Sequence, residues 1–294
     1  MIVTGSTNLE IKAKIQDSLV GRKMDFFIQP LLISEILNFK KLNPKSKNPL
    51  ERQKIEEEFQ NYLLFGGLPD IFLEKNLEHK KELLKEYIGA YVNKDIRGLI
   101  RNININKFNK LNIYLAHSIG NLLNKSKLTN EVNLDSRTLD HYLDLLEFSF
   151  IFKFVSPYFS NPITQIKRMS KVFCFDLGVR NAILNNFIKP DLRDDNGRLF
   201  ENFIYLILRA QKQEIFFWRT NRGDEVDFLY QENGIHLLEV KYKQFKETKI
   251  ENSFKKAIKE FKPTTANILN LNLNKSFKYE DQLIKFVSWD YLLV

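Results

Sequence analysis

The sequence has a single cysteine, Cys174, so no disulfide can form within the chain. It has four scattered histidines, which beside one cysteine argues against a zinc site. No apolar run approaches the roughly 18 residues of a membrane span, so no membrane partner is expected. The first residues, Met1-Ile2-Val3-Thr4-Gly5-Ser6, carry no basic leader and no cleavage pattern, so no signal peptide is visible. The lone thiol and the missing leader together fit the cytoplasm. Also lacking is any Gly-x-x-x-x-Gly-Lys-Ser/Thr, the loop that cradles nucleotide phosphates. No apolar strand ends in Asp-Glu to hold Mg²⁺ beside a nucleotide. The chain as it stands is therefore expected neither to bind ATP saturably nor to hydrolyse it.

What is present is a chain of 294 residues, 44% hydrophobic and 28% charged. That composition is ordinary for a soluble protein, and the length allows two or three domains. The net charge of +9 favours anionic partners such as nucleic acid. Cys174 sits in Val172-Phe173-Cys174-Phe175, a setting that suits a buried structural thiol.

The most informative stretch is Asp227–Lys241. Two apolar runs flank Asn233-Gly234, a hairpin signal. Glu239 and Lys241 are two apart, so on a strand they share a face. A two-residue turn would send Asp227 to the wrong face. A three-residue loop, Glu232-Asn233-Gly234 with Gly234 left-handed, puts Asp227 opposite Glu239, and that register is the one expected. Two carboxylates and an ammonium on one patch could hold Mg²⁺ through oxygen ligands, lower the pKa of a bound water and orient it. The plainer alternative is a salt bridge on a solvated strand. Upstream, Leu199–Leu208 predicts an almost wholly apolar helix, with Glu201 its one embedded carboxylate. Strands near Ile215–Arg219 and Ala266–Leu271 and a lysine-rich helix around Glu247–Phe261 complete an order of helix, three strands, helix, strand.

Glu201, Asp227 and Glu239-Val240-Lys241, in that order, resemble the signature of the PD-(D/E)xK nuclease superfamily. The resemblance implies Mg²⁺ held by Asp227 and Glu239, with Glu201 in support and Lys241 in catalysis. Arg198-Leu199-Phe200-Glu201-Asn202, Trp218-Arg219-Thr220 and Glu225-Val226-Asp227 extend it to a family of archaeal and bacterial AAA-type ATPases with such a carboxy-terminal domain. Ser6 to Asn8 resembles that family's sensor strand end. Arg22, after Gly21, occupies the place of an arginine facing the nucleotide, although a helix C-terminal cation reads equally well there. Gly66-Gly67-Leu68-Pro69 and Tyr91–Arg97 also resemble the family. ATP would then belong only to an intact member. The chain would start late in the ATPase core, through a truncated or frame-shifted gene or an internal Met1.

The fold class implied is multidomain α/β, α+β overall. Residues 1–40 would be the remnant of a P-loop ATPase core, with strands at Ile2–Thr4 and Phe26–Leu31 and a helix start capped by Ser34. Residues 41–101 would be a helical linker, with helices through Glu51–Leu64 and Leu77–Ile100. Residues 102–178 would be a winged helix-turn-helix. Its helices are expected at Phe108–Leu123, at Ser126–Val132 with Ser126 as cap, and from Asp135 or Ser136 to Phe148. Residues 179–294 would be a restriction-endonuclease-like α-β-β-β-α-β domain. Candidate nucleic-acid contacts are Arg137, Lys153, Lys167, Arg168 and Lys171, although Asp140, Asp144 and Glu147 on the third helix would repel phosphates. Stripped of sheet neighbours, residues 1–40 are expected to be poorly anchored and to invite a protein partner or self-association. The readings are thus a Mg²⁺-dependent nuclease, a non-catalytic nucleic-acid- or protein-binding module, and an inactive fragment.

Overall fold

Asparagine side chains start most of the early helices. The computed structural model describes residues 26–91, 96, 103–159, 169–212 and 214–293. It opens with α1 (Ile33–Phe39), α2 (Pro49–Phe65), α3 (Pro69–Leu73), α4 (Leu77–Ala90), α5 (Ile105–His117), α6 (Lys125–Val132) and α7 (Ser136–Phe148). Asn48, Asn76, Asn104 and Asn124 accept N–H bonds in the first turns of α2, α4, α5 and α6. These are the donors that a helix start leaves unpaired. Asn124, not Ser126, therefore caps α6. Asp135 caps α7 through the Thr138 N–H at 2.9 Å. The apolar stripe of α7, including Leu139, Tyr142, Leu143 and Leu146, is buried as its period requires.

Two short antiparallel strands follow, β1 (Phe152–Val155) and β2 (Lys171–Cys174). Helix α8 (Leu177–Ile183) and helix α9 (Asn196–Gln211) lead into a mixed six-stranded sheet. Its strands are β3 (Phe216–Arg219), β4 (Glu225–Gln231), β5 (Ile235–Val240), β6 (Thr265–Asn270), β7 (Lys275–Tyr279) and β8 (Gln282–Ser288), with α10 (Asn252–Phe261) between β5 and β6. The order is β3-β4-β5-β6-β8-β7, parallel at β5–β6 and β6–β8. Every residue of α9 from Leu199 to Leu208 is buried, as its almost continuous apolar sequence demands. Phe59 of α2 stacks on Trp289 at 4.3 Å and meets Phe203 of α9 edge-on, so one aromatic core joins the helical region to the sheet.

The Gly66-Gly67-Leu68-Pro69 turn has a steric origin. Gly66 has φ +71°, and a Cβ there would lie 2.2 Å from Asp176 Oδ1. The buried Asp176 carboxylate accepts the Gly67 N–H at 2.7 Å and the Val179 N–H at 2.9 Å, and so caps α8. Behind it, Arg180 donates to Ala116 O at 2.9 Å and to Asp195 Oδ2 at 2.5 Å. Arg193 also binds Asp195, and Asn181 donates to the carbonyls of Leu63 and Leu64. The expected boundary between residues 178 and 179 falls inside α8, the element these bonds converge on.

Several expectations are corrected. Phe26–Leu31 forms no strand; Phe26 and Ile28 are exposed, and Leu31 N–H bonds to Gly67 O at 2.8 Å. Glu35, not Ser34, closes the start of α1 by accepting the Leu32 N–H. Ile33, Ile36 and Leu37 are buried in the main core, so the end of the 1–40 segment is anchored. Helix α5 begins at Ile105 and ends at His117, and α10 begins only at Asn252. Strands β7 and β8 had no counterpart in the sequence reading. Asn8, Arg22, Lys167, Arg168, the strand at Ile2–Thr4 and most of Tyr91–Arg97 lie outside the described residues.

Candidate functional site

The hairpin sets the register. Gln231 pairs with Ile235, Tyr230 with His236, Leu229 with Leu237 and Phe228 with Leu238, across the loop Glu232-Asn233-Gly234. That is the three-residue loop expected. Asn233 takes the left-handed position, with φ 52°, and Gly234 has φ 133°. Next in line come Asp227 and Glu239. Asp227 Oδ2 accepts the Val240 N–H at 2.8 Å, and the Asp227 N–H approaches Glu239 Oε2 at 3.4 Å. Lys241 Nζ lies 2.8 Å from Glu239 Oε1 and 3.2 Å from Glu251 Oε1. These residues line an open cleft of about 450 Å³ together with Arg222, Asp224 and Glu225.

Beneath them lies Glu201, brought by the buried face of α9. Gly120 makes room for it, since a Cβ there would lie 2.8 Å from Glu201 Oε2. Strand β2 enters from the other side and carries Lys171. Its side chain does not reach solvent: the residue is 1% exposed. Lys171 Nζ lies 2.7 Å from Glu225 Oε1, 2.8 Å from Glu201 Oε1 and 3.5 Å from Asp227 Oδ1. It also sits over the Phe217 ring. Lys171 is therefore not a phosphate contact. Lys153 is partly exposed but pairs with Glu147 at 2.5 Å, and Arg137 is exposed at the start of α7.

Four carboxylates, of Glu201, Glu225, Asp227 and Glu239, surround two ammonium groups, of Lys171 and Lys241. Arg219 adds a guanidinium on Glu225. With Glu251 beside Lys241, five acidic groups face three basic ones in a largely buried place. Burial pushes the carboxyl groups of Glu201 and Glu239 up to about 8, and repulsion from Asp227 adds to both. Lys171 and Lys241 are also shifted up, but by the opposite balance of causes. Burial works against each charge, but the surrounding carboxylates outweigh it and hold both ammonium groups above the ordinary lysine range.

A Mg²⁺ ion at Asp227 and Glu239 would need free carboxylate oxygens at about 2.1 Å. The donor set does not offer them in this form. One oxygen of Asp227 holds a backbone N–H, and the other faces Lys171. Glu239 holds Lys241, and Glu201 holds Lys171. Among the described residues, no group of three or more His, Cys, Asp or Glu side chains is arranged to hold a metal ion. The sequence reading brought Glu201, Asp227, Glu239 and Lys241 together correctly in space. It missed Lys171, Glu225 and Glu251 as members. Glu225 was legible, because it stands two residues before Asp227 on one strand. Lys171 was not, because only the packing of β2 onto α9 brings it in.

Residues 56–189 match a family model described as a domain of unknown function, DUF8612, and residues 196–292 match another, DUF4143. Residues 190–195 separate the two matches, and the second begins with α9. The chain is 29% identical over 288 residues to an uncharacterized protein of Methanocaldococcus jannaschii, covering 93% of this chain and 63% of that protein. It is 27% identical over 236 residues to one of Haemophilus influenzae, covering 78% of this chain and 55% of that protein. It is 24% identical over 175 residues to one of Mycobacterium tuberculosis, covering 58% and 40% respectively. The chain thus spans less than two thirds of the length of each of these relatives. No solved structure matches. Among the described residues, no helix is long and apolar enough to cross a membrane.

Proposed function

We propose that this chain is the part of an AAA-type ATPase that follows the nucleotide-binding core, and that its sheet is a PD-(D/E)xK-like domain that binds nucleic acid without cutting it. In this reading α5–α7 with β1–β2 form a winged helix-turn-helix, and α9, β3–β5, α10 and β6 follow the restriction-endonuclease order. The observation that carries it is the state of the acid–lysine constellation. Its residues stand together, but their carboxylates are bonded to lysines or backbone N–H groups of the same chain. A phosphodiester entering the cleft would meet the five acids Asp224, Glu225, Asp227, Glu239 and Glu251 against the two cations Arg222 and Lys241, an excess that opposes its approach.

Binding then runs through the lysines beside the cleft. Residues 241–262 carry eight lysines against three glutamates. Lys243, Lys246 and Lys249 are exposed on the loop that leads to α10. Lysines that meet phosphates release counterions and give affinity with little sequence preference. Labelled single-stranded and duplex oligonucleotides, with and without Mg²⁺ or Mn²⁺, test this. The expected result is binding that weakens with salt and no cleavage. Changing Lys243, Lys246 and Lys249 to Gln should lower the log–log salt slope by about 2–3. Metal-dependent cleavage that disappears in Glu239→Gln would refute the proposal and restore the nuclease reading.

A further inference from the structure

We infer that Lys171 is the resident cation of the acidic cluster: it engages the carboxylates of Glu201, Glu225 and Asp227, so keeps divalent ions from them, and fastens β2 to α9 and β4. The inference rests on the non-cutting reading and deepens it, by naming the group responsible.

The geometry carries the argument. Glu201 comes from α9, Glu225 and Asp227 from β4, and Lys171 from β2. The ammonium group lies within 2.7 to 3.5 Å of one carboxylate oxygen from each of the three. Three carboxylates from three places in the chain thus face a single ammonium group, which leaves no room beside them for a second cation. Because Lys171 is nine-tenths buried and more, water cannot take its place as a partner. Losing the carboxylates would strand the ammonium, and losing the ammonium would strand the carboxylates. The strand that carries it cannot slide away. Gly120 N–H bonds to Val172 O, Leu123 N–H bonds to Ser170 O, and Asn202 holds both the N–H and the C=O of Cys174. These bonds keep β2, and with it the root of the Lys171 side chain, beside the three carboxylates. Lys241 plays no such part: its side chain is about a third exposed and, among the described residues, pairs with Glu239 and Glu251 at the cleft mouth.

The test uses the full chain, with Mn²⁺ and Mg²⁺ as probes, read by calorimetric titration and by melting temperature. The wild type should take up neither ion saturably, and its melting temperature should not move. Lys171→Ala should melt lower without metal. Millimolar Mn²⁺ should then raise it by about 5 °C, as a ligand confined to the folded state does. That gain should vanish in Lys171→Ala with Asp227→Asn. Saturable Mn²⁺ uptake by the wild type, abolished by Glu201→Gln, would overturn the inference whatever the variants do. A folded Lys171→Ala chain that gains no metal binding would overturn it too. If Lys171→Ala does not fold, Lys171→Gln, which keeps most of the side-chain length, replaces it with the same expectations. The oligonucleotide assay separates the two claims. Metal uptake by a wild type that cuts nothing removes this inference and leaves the non-cutting reading in place. Cleavage by the wild type removes both.

Discussion

Asn202→Leu is the sharpest probe of how the sheet unit and the helical region are held together. Asn202 is fully buried on α9, and its side chain works like a strand neighbour. Oδ1 accepts the Cys174 N–H at 2.7 Å, and Nδ2 donates to Cys174 O at 2.9 Å. Leucine keeps the volume and removes both bonds. Two buried backbone groups then lose partners, at about 1–3 kcal/mol each. The added apolar burial offsets about 1 kcal/mol of that. The net loss should be about 1–5 kcal/mol, or a fall of about 2–8 °C in melting temperature for a chain of this size. Urea titration gives the free energy, and hydrogen exchange at the Cys174 amide shows whether the loss is local to β2. A loss under about 1 kcal/mol, with the Cys174 amide as slow to exchange as before, would refute the reasoning.

Two glycines should behave oppositely. Gly66→Ala puts a Cβ 2.2 Å from Asp176 Oδ1 at φ +71° and should cost more than about 2 kcal/mol, whereas Gly197→Ala meets nothing within 4 Å and should be neutral or gain up to about 1 kcal/mol. Equal effects on urea midpoints would contradict the steric account of the turn. Stability should fall as pH rises from 4.5 towards about 8, because burial raises Glu201 and Glu239 from 4.5 to about 8. Over that window the folded chain keeps protons that the unfolded chain has released, so rising pH favours unfolding. Asp176, which burial pushes up to about 6, adds to this below pH 6. Melting curves across the window should show the slope and its reduction in Glu239→Gln; a flat profile would count against the buried acids. Phe59→Ala removes the ring stacked on Trp289 and should cost about 3–5 kcal/mol. If the two halves melt in separate steps in the wild type, the shared aromatic core is not the coupling described.

Local chemistry was legible and long-range packing was not. The hairpin followed from Asn233-Gly234 and from the alternation around it, because turn type and strand period are properties of adjacent residues. The buried helix Leu199–Leu208 followed from its composition alone. The expected order of helix, three strands, helix and strand matches α9, β3–β5, α10 and β6. Lys171 was misread because a lysine on a short strand ordinarily points to water. Nothing in Lys171-Val172-Phe173-Cys174 announces three carboxylates from 30 to 56 residues away. Phe26–Leu31 was misread as a strand because apolar residues before a proline resemble one; among the described residues no partner strand stands beside it. Strands β7 and β8 were missed because the turn between them, Glu280-Asp281, carries no glycine or proline to announce a hairpin.

The clasp around Asp176 has a consequence for how the chain comes into being. The Gly67 N–H waits for a carboxylate 109 residues later, and the Leu63 carbonyl waits for an amide 118 residues later. At about 5–20 residues per second, a ribosome needs roughly 5–20 s to make that stretch. During this time α2 has its helix but not its lid. Phe59 and Leu63, wholly covered at the end, face water until α8 and α9 arrive. Folding of the amino-terminal helices is thus tied to the synthesis of residues beyond 176, and a slow codon stretch between Pro69 and Asp176 would prolong the exposure of their apolar faces to chaperones and proteases.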